Sequence, residues 1–268
     1  MSTILLTHSP EALANYYGER ALAGLKALGN VVLNPEKNSL EGEALIRAAR
    51  DCDLVVSYRQ SPGEAVVFES LPRLVAFLRC AIDIRNIDLP AASKAGVLVT
   101  QASAGFVTSV AELVFGLMID LSRGITASTV AFRSGKSPKA VMGRELKGST
   151  LGVIGHGAIG REVVRLGEAF GMRVLISDPY SSEVKTVSLE NLLAESDFVV
   201  PLAVATPETE NLIGEKALSL MKKDAFLINA SRGNLVDEAA LTRALDAGRI
   251  AGCAMDVGRA PDQMPTPE

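Results

Sequence analysis

A glycine-rich loop between an apolar run and a helical pattern constrains this sequence more than any other feature. The apolar run Thr150 to Ile154 leads directly into Gly-His-Gly-Ala-Ile-Gly at 155–160, and a helical pattern continues to Phe170. In such a loop the first glycine permits a tight turn, the second lets the backbone approach a pyrophosphate, and the third allows close helix-on-strand packing. Amides at the helix start face the phosphates, helped by the positive end of the helix dipole. The loop therefore predicts a dinucleotide-binding unit.

An acidic residue at the end of the next apolar run identifies the dinucleotide. Asp178 lies 18 positions beyond Gly160, near the spacing of about 20 expected for a carboxylate that receives the adenosine ribose hydroxyls. This carboxylate would repel a 2′-phosphate and no cation follows it, so we expect NAD rather than NADP. The alternative is that Asp178 only caps a turn at Ser181 and Ser182. The residues that the motif assigns to the cofactor are Gly155, His156, Gly157, Ala158, Ile159, Gly160, Asp178 and Pro179.

Short apolar runs alternate with helical patterns along most of the chain, as in doubly wound parallel sheets. At about 150 residues per domain, 268 residues suffice for two domains, each with its own core. The first run is followed by one long helical pattern, Pro10 to Leu28. The fold class that we predict is α/β, with two doubly wound parallel sheets. The runs are Ile4–Thr7, Val31–Leu33, Leu54–Ser57, Val75–Leu78, Val97–Thr100, Thr150–Ile154, Arg173–Ser177, Phe198–Pro201, Ala225–Asn229 and Ile250–Met255.

Between the two series lies a helical pattern with little polar surface, Val107 to Arg123, followed by a polar stretch at 133–148. A helix this apolar must be covered on most sides, by another subunit, by another domain or by the core of its own domain. Its most apolar window contains Glu112 and Asp120 and is shorter than the roughly 20 residues of a membrane span. The N-terminus shows no basic stretch ahead of a long apolar run, so we expect neither a membrane-embedded nor a secreted protein.

Charge and cysteine content point away from two further classes. Lys and Arg number 27 against 31 Asp and Glu, and a net charge of −4 is too mild and too evenly mixed to predict a nucleic-acid surface. Cys52, Cys80 and Cys253 lie far apart and form no C-x-x-C pair, which predicts reduced, mostly buried thiols and no metal site. We therefore expect a cytoplasmic protein without a nucleic-acid partner.

The segment Asn-Ala-Ser-Arg-Gly at 229–233 predicts where the chemistry takes place. It follows an apolar run, and a doubly wound sheet binds its ligand at the carboxyl ends of its strands. The planar fork of Arg232 is suited to hold a carboxylate through two hydrogen bonds and to polarise an adjacent carbonyl. The alternative is a surface arginine that pairs with Asp237 or Glu238.

Several motifs in one order resemble the D-isomer-specific 2-hydroxyacid dehydrogenases. They are Asn86-Ile87-Asp88, Val110-Ala111-Glu112-Leu113, the run from Leu146 to Gly155, Thr206-Pro207-Glu208-Thr209, Asn229-Ala230-Ser231-Arg232-Gly233 and Ala254-Met255-Asp256-Val257. The resemblance implies a reversible reaction in which a 2-oxo acid and NADH give a D-2-hydroxy acid and NAD. It also implies a flavodoxin-like substrate domain at 1–101, a Rossmann NAD-binding domain at 102–268, and a homodimer packed through the helix near Val107 to Arg123.

The resemblance also implies roles for individual residues. Arg232 would bind the carboxylate and the carbonyl of the substrate, and Asp256 would lie against the nicotinamide. The loop at Ala81, Ile82 and Asp83 would offer backbone amides to the substrate carboxylate. The remaining cofactor contacts would be Val204, Ala205, Thr206, Ala230 and Ser231.

The sequence departs from the family's pattern around the expected substrate. Many relatives have glycines where this chain has Ala81 and Asp83, and an aspartate where it has Arg85. Side chains at these positions would make the substrate pocket narrower or change its charge. Arg59 ends another strand of the substrate domain and is a candidate to bind a second acidic group. The alternative is that Arg59, Arg79 and Arg85 are ordinary surface charges.

The family's acid–base pair is not plainly present. In the family a histidine protonates the carbonyl oxygen, and a glutamate hydrogen-bonded to it raises its pKa. The glutamate falls where this chain has Pro261, so a loop one residue longer would make Asp262 the substitute. We expect His8 to be a satisfied structural residue and the ring of His156 to face phosphates or solvent. The family's histidine lies beyond the last apolar run, so we expect a truncated sequence that lacks the C-terminal return segment.

Two other functions are open at this point. One is an NAD(H)-sensing protein of the same fold, in which the bound dinucleotide changes dimer contacts without turnover. The missing histidine favours this function and the presence of Arg232 disfavours it. The other, suggested by Gln263 alone, is a formate-dehydrogenase-like enzyme. The sequence does not identify which 2-hydroxy acid is the substrate.

Overall fold

A computed structural model of the protein describes residues 1–138, 142–260 and 265. The chain divides into two compact units, Met1–Gly105 and Phe106–Glu268. Each unit contains one parallel sheet of five strands with helices between the strands. The predicted fold class, α/β with two doubly wound parallel sheets, is confirmed.

The first unit has hydrophobic clusters on both faces of its sheet. Leu5, Val55 and Phe77 are buried on one face, and Ile4 and Val56 on the other. Its strands are β1 Thr3–Leu6, β2 Asn30–Leu33, β3 Leu54–Ser57, β4 Ala76–Arg79 and β5 Leu98–Thr100. Its helices are α1 Pro10–Tyr16, α2 Glu19–Leu28, α3 Gly42–Ala49, α4 Ala65–Ser70 and α5 Leu89–Lys94.

The second unit is also double-faced, with Val199 and Leu227 in one cluster and Val153, Phe198 and Ile228 in the other. Its strands are β6 Thr150–Ile154, β7 Arg173–Ser177, β8 Phe198–Pro201, β9 Phe226–Asn229 and β10 Gly252–Met255. Its helices are α6 Val107–Arg123, α7 Ile125–Arg133, α8 Ala158–Ala169, α9 Leu189–Glu195, α10 Glu215–Leu220 and α11 Glu238–Asp246.

Both sheets share one strand order. The first runs β2-β1-β3-β4-β5 and the second, read from its other edge, runs β7-β6-β8-β9-β10. In each unit the first strand therefore lies between the second and the third, so the connection after the first strand and the connection after the third run to opposite sides. A crevice opens outside the carboxyl ends of the strands at such a reversal, and ligands bind there in open α/β sheets. The fold thus offers two crevices, at β1/β3 and at β6/β8.

Two local expectations need correction, and one helix was not predicted. The helix predicted over Pro10 to Leu28 is two helices, because Gly18 between them adopts a φ of +75° that favours glycine. Helix α7, Ile125–Arg133, lies between the helical pattern that ends at Arg123 and the predicted polar stretch at 133–148, where no element was predicted. Of the thiols, only Cys52 is buried, Cys253 is half-buried and Cys80 is exposed, although all are free.

Helix α6 packs one face into the core of its own unit. Ala111, Val114, Phe115 and Met118 are buried there beside residues of β6 and α8. Leu113, on another face, keeps 38% of its surface exposed. Among the described helices, none is by itself long and apolar enough to cross a membrane, and α6 and α7 meet the length and composition test only as a pair bent by 65°.

Gly152, in the centre of β6, provides a test of this packing. A Cβ there would lie 2.5 Å from Cδ2 of the fully buried Leu192 and would collide with Oγ of Ser196. We expect Gly152→Ala to lower the free energy of unfolding by about 1–3 kcal/mol, because the core cannot yield. Urea unfolding measures this change. In the control, Gly116→Ala on α6, a Cβ meets no atom within 4 Å, so a gain of up to about 1 kcal/mol is expected.

Candidate active site

The glycine loop follows a strand whose residues are all buried, β6. Gly155 adopts a φ of +98°, and a Cβ there would lie 2.8 Å from the Ala203 nitrogen and from the Leu202 oxygen. Two features therefore exclude a side chain at 155: the positive φ, which favours glycine, and the close backbone of the segment after β8. The Gly155 amide donates to the Ser177 carbonyl at 2.9 Å. This bond ties the loop to the end of β7.

The start of α8 is open to a ligand. Gly157 is its N-cap and provides no side-chain cap, and a Cβ there would meet no atom within 4 Å. Gly160, one turn later, is packed so closely that a Cβ would collide with the Gly155 carbonyl. The first amides of a helix have no partner within the helix, and the helix dipole favours an anion beside them. The loop therefore fits a pyrophosphate, as the sequence predicted.

Asp178 comes directly after β7 and closes a turn, which was the alternative role that the sequence left open. Its Oδ2 accepts from the His156 amide at 2.7 Å, and its Oδ1 accepts from the Tyr180 amide at 2.9 Å, which closes a turn. Burial acts to raise the pKa of Asp178, but the amides of His156, Tyr180 and Ser181 outweigh it and lower the pKa below its usual value. The carboxylate is therefore charged at neutral pH, suits ribose hydroxyls and disfavours a 2′-phosphate.

Of the two positions expected for the His156 ring, facing phosphates or facing solvent, the structure excludes solvent. The residue is 8% exposed, and its Nδ1 has no hydrogen-bond partner among the described residues.

The loop after β8 is held by a threonine side chain. The Thr206 amide donates to Thr209 Oγ1 at 2.8 Å, and that hydroxyl donates to the Val204 carbonyl at 2.7 Å. Val204 remains 77% exposed, so its side chain is available to a cofactor.

The arginine loop after β9 is held by a buried amide. Asn229 is fully buried; its Nδ2 donates to the Arg232 carbonyl at 2.9 Å and its Oδ1 accepts from the Ser231 amide at 3.1 Å. Its own carbonyl accepts from the amide of Asp256, which follows β10, at 2.9 Å. One side chain thus fixes the turn that presents Arg232, and its backbone aligns Asp256 beside it.

The surface-pair alternative for Arg232 is not what the structure contains. Asp237 instead caps α11 by accepting from the Ala240 amide at 3.0 Å, and Glu238 accepts from the Arg259 amide at 3.1 Å. The Arg232 side chain is exposed, and its Nη1 donates to the Ser231 carbonyl at 2.8 Å. The remaining donors of the guanidinium are directed to no protein acceptor within the described ranges, and they are available to a ligand.

Sequence reasoning missed Arg259, which joins the loops around this site. Its Nη1 donates to Glu210 at 2.7 Å, its Nε to the Val236 carbonyl at 3.2 Å, and its Nη2 to Asn211 and to the Asn234 carbonyl. This pairing holds the pKa of Glu210 below its usual value. Arg259 therefore fastens the segments after β8, β9 and β10 together. A charge within an irregular segment gives no periodic signal by which to find it.

The expected substrate loop lies in the first unit, after β4. Within the described parts of the chain, the amides of Ala81 and Ile82 donate to no protein acceptor. Asp83 forms an ion pair with Arg85 at 2.6 Å, so these two charges largely neutralise each other.

Arg79, which the sequence left open as an ordinary surface charge, is buried, since it is 2% exposed. Pro261, Asp262 and Gln263 lie outside the described residues.

The comparisons with known proteins agree with this geometry. The sequence model of the D-isomer specific 2-hydroxyacid dehydrogenase NAD-binding domain matches residues 115–267, more than half of the chain. The chain belongs to the D-isomer-specific 2-hydroxyacid dehydrogenase family. Family membership confirms the predicted NAD cofactor and the predicted class of enzyme, one that transfers hydride between NAD(H) and a 2-hydroxy acid/2-oxo acid pair.

Individual relatives differ in length from this chain. A glyoxylate reductase of Korarchaeum cryptofilum is 36% identical over 251 residues, which cover 89% of this chain and 76% of the relative. A D-3-phosphoglycerate dehydrogenase of Methanocaldococcus jannaschii is 36% identical over 248 residues, 89% of this chain but 47% of the relative. The structure of Salmonella D-lactate dehydrogenase aligns with a TM-score of 0.79 at 30% identity, covering 95% of this chain and 78% of that chain.

Gly157 separates cofactor binding from protein stability. Because a Cβ at 157 meets no protein atom within 4 Å, we expect Gly157→Val to leave the melting temperature nearly unchanged. It would block the amides at the start of α8 and weaken NADH binding by at least about tenfold, or roughly 1.4 kcal/mol. Calorimetric titration measures the Kd. Gly24→Val on α2, also in open space, is the matched control, and an unaltered Kd in Gly157→Val would remove the loop from the cofactor site.

Proposed function

We propose that the protein reduces a 2-oxo acid to its D-2-hydroxy acid, and that Arg232 is the residue that binds and polarises the substrate. NADH, when bound, supplies the hydride that adds to C2 of the oxo acid, and a proton adds to the carbonyl oxygen. Arg232 would bind the substrate carboxylate with its fork and share a hydrogen bond with the carbonyl. Negative charge develops on that oxygen during the transfer, so a fixed cation there stabilises the transition state.

The observation that carries this proposal is the way the Arg232 loop is built. The side-chain amide of the fully buried Asn229 forms hydrogen bonds to this turn through both its nitrogen and its oxygen. The guanidinium of Arg232 stays exposed, and most of its donors have no protein acceptor within the described ranges. Burying a polar side chain is unfavourable unless its hydrogen bonds are made. A loop supported in this way maintains the direction of its arginine before substrate arrives, which is what positioning catalysis requires.

The proposed cofactor contacts belong to the second unit and the proposed substrate loop at 81–83 belongs to the first, while Arg232, which would also bind the substrate, belongs to the second. We assign NAD binding to 102–268 and substrate recognition to 1–101; the separate cores of the two compact units support this division. The unpaired amides of Ala81 and Ile82 support carboxylate binding by the loop at 81–83. The remaining proposed cofactor contacts are the glycine loop 155–160, Asp178, Pro179, Val204, Ala205, Thr206, Ala230, Ser231 and Asp256.

The proton donor is the open part of the mechanism. Asp262 is our proposed substitute for the family's glutamate, and it lies outside the described residues. The sequence has two histidines, and neither follows β9 or β10, where Arg232 and Asp256 lie. A second candidate is an NAD(H)-sensing protein of the same fold without turnover. NADH binding together with an absence of NADH oxidation across a panel of 2-oxo acids would favour the sensor.

Arg232→Ala tests the enzymatic proposal. Loss of a bidentate, charge-assisted contact costs about 1.5–3 kcal/mol per bond, so kcat/KM for a 2-oxo acid is expected to fall by at least about 100-fold. NADH affinity should change little, and Arg232→Lys, which keeps the charge without the fork, should restore only part of the rate. Arg243→Ala, which removes an exposed arginine 3.7 Å from Glu215 on α10, is the control. Near-normal turnover in Arg232→Ala would remove Arg232 from the mechanism.

We also propose that the protein is a cytoplasmic homodimer that packs through α6. Free cysteines support a reducing compartment. The apolar surface that the second unit leaves exposed near α6 supports self-association, because soluble monomers rarely expose large apolar clusters. Its residues and exposures are Phe106 45%, Leu113 38%, Ile125 52%, Val130 56% and Phe132 67%.

Leu113→Glu tests the dimer. A charge on the exposed side of α6 should not disturb the core beneath it, but it would have to be desolvated in a subunit contact. We expect sedimentation velocity to show a dimer for the unmodified protein and a monomer for Leu113→Glu, with the melting temperature of the monomer lowered. Leu28→Glu introduces the same charge at a 74% exposed leucine on α2 and should leave the dimer intact. A dimer that survives Leu113→Glu would place the contact elsewhere.

A further inference from the structure

A cavity in the first unit gathers most of the tyrosines of the chain. Its volume is about 410 Å³, and its walls include the rings of His8, Tyr16, Tyr17 and Tyr58 together with Arg59 and Cys80. Three of the four tyrosines in the sequence line it. The volume is within the range of small-molecule sites, about 300–1,000 Å³, and such sites are lined mainly by apolar and aromatic side chains.

The position of the cavity agrees with the strand order. His8 follows β1 and Tyr58 follows β3. The connections after these two parallel neighbours run to opposite sides of the first sheet. Cys80 follows β4 at the same edge. The cavity therefore occupies the crevice that the topology opens in the first unit, as the glycine loop does in the second.

The walls are held by buried hydrogen bonds. The Tyr58 amide donates to Thr7 Oγ1 at 2.9 Å, and its carbonyl accepts from Arg79 Nη1 at 2.6 Å. Arg79 also donates to Asn86 Oδ1 at 2.7 Å. Since Thr7 and Arg79 are nearly inaccessible to solvent, Tyr58 is fixed before any ligand enters. A site prepared in this way loses little conformational entropy on binding.

The rings are arranged to accept another ring. His8 lies edge-on to Tyr17 at a centroid distance of 5.0 Å and tilted to Tyr58 at 4.8 Å, while Tyr16 and Tyr58 are nearly parallel at 6.2 Å. These are the offset and edge-to-face geometries that aromatic rings prefer. His8 is 4% exposed, and its Nδ1 has no partner among the described residues, so it was not the satisfied histidine that the sequence predicted.

The charges around the cavity narrow the class of ligand. Aromatic cages also bind cations, but Arg59 in the wall opposes a cationic group. Burial lowers the pKa of His8 to about 4, so its ring is neutral at pH 7 and behaves as an aromatic and hydrogen-bonding surface. Arg59 is the only guanidinium among the lining residues, so the part of the ligand that enters the cavity is a neutral, apolar group, while the substrate carboxylate stays assigned to Arg232.

We propose that this cavity binds the side chain of an aryl-substituted 2-oxo acid, with its ring packed among Tyr16, Tyr17 and Tyr58 against His8. The proposal rests on the proposed function, since it names the substrate class for that reaction. A compact substrate such as glyoxylate has no group to fill the cavity, and each buried ring carbon adds hydrophobic stabilisation. Selectivity for aryl acids then resides in the first unit.

The test compares phenylpyruvate with glyoxylate, by kcat/KM with NADH and by calorimetric Kd in the presence of NADH. We expect phenylpyruvate to be preferred at least tenfold in both measurements. Tyr17→Leu, which keeps an apolar side chain, should reduce this preference at least fivefold. Tyr16→Ala, at a 69% exposed position that folding does not require, should also reduce it. Leu28→Ala removes a comparably exposed apolar side chain, 74%, that is not among the residues lining the cavity, and should have no effect.

Each outcome decides between the two proposals. Reduction of both acids with equal kcat/KM, or a preference that survives both tyrosine substitutions, would overturn the aryl site and leave the proposed function intact. Failure of both acids to bind and to react would overturn both. Tight binding of phenylpyruvate that depends on Tyr16 and Tyr17 but gives no NADH oxidation would support the aryl site in a protein that senses rather than catalyses.

Discussion

The reversal of strand order within each parallel sheet is the constraint on which the rest of this structure depends. Because every strand points the same way, all carboxyl ends share one edge, and the connections after the first and the third strand run to opposite sides and leave part of that edge uncovered. The glycine loop and Asp178 occupy this edge in the second unit. His8 and Tyr58 occupy it in the first. Local sequence then decides what each crevice binds: open amides for an anion in one, aromatic rings in the other.

Polar side chains that contact no ligand do much to shape the second crevice. Asn229 is fully buried, yet both of its polar atoms are used on the turn that presents Arg232. Arg259 fastens three loops through separate acceptors. An unsatisfied buried polar group costs about 1–3 kcal/mol, so these contacts stabilise one loop conformation against others. The Arg232 side chain itself stays exposed on the turn that Asn229 holds.

The sequence predicted the sheets well and the orientation of individual polar groups poorly. The bounds of β3, β6, β7 and β8 agree with the predicted apolar runs, since strands buried on both faces leave an uninterrupted apolar signal. Gly18 was hidden inside a helical pattern, because spacing does not reveal that a residue needs a positive φ. The burial of His156 and Arg79 and the unmet Nδ1 of His8 depend on segments far apart in sequence. The glycine loop and Arg232 were predictable because strand ends have a fixed place in the fold.

The concentration of tyrosines in the first unit has an optical consequence. The sequence has no tryptophan, and its remaining tyrosine, Tyr180, is 94% exposed at the surface of the second unit. Ring absorption near 280 nm therefore originates mainly in the first crevice, and a rigidly held, asymmetric ring environment is what generates circular dichroism at those wavelengths. A near-ultraviolet circular dichroism spectrum of this protein therefore reports mainly on how well the tyrosines of the first crevice are ordered, without any introduced label.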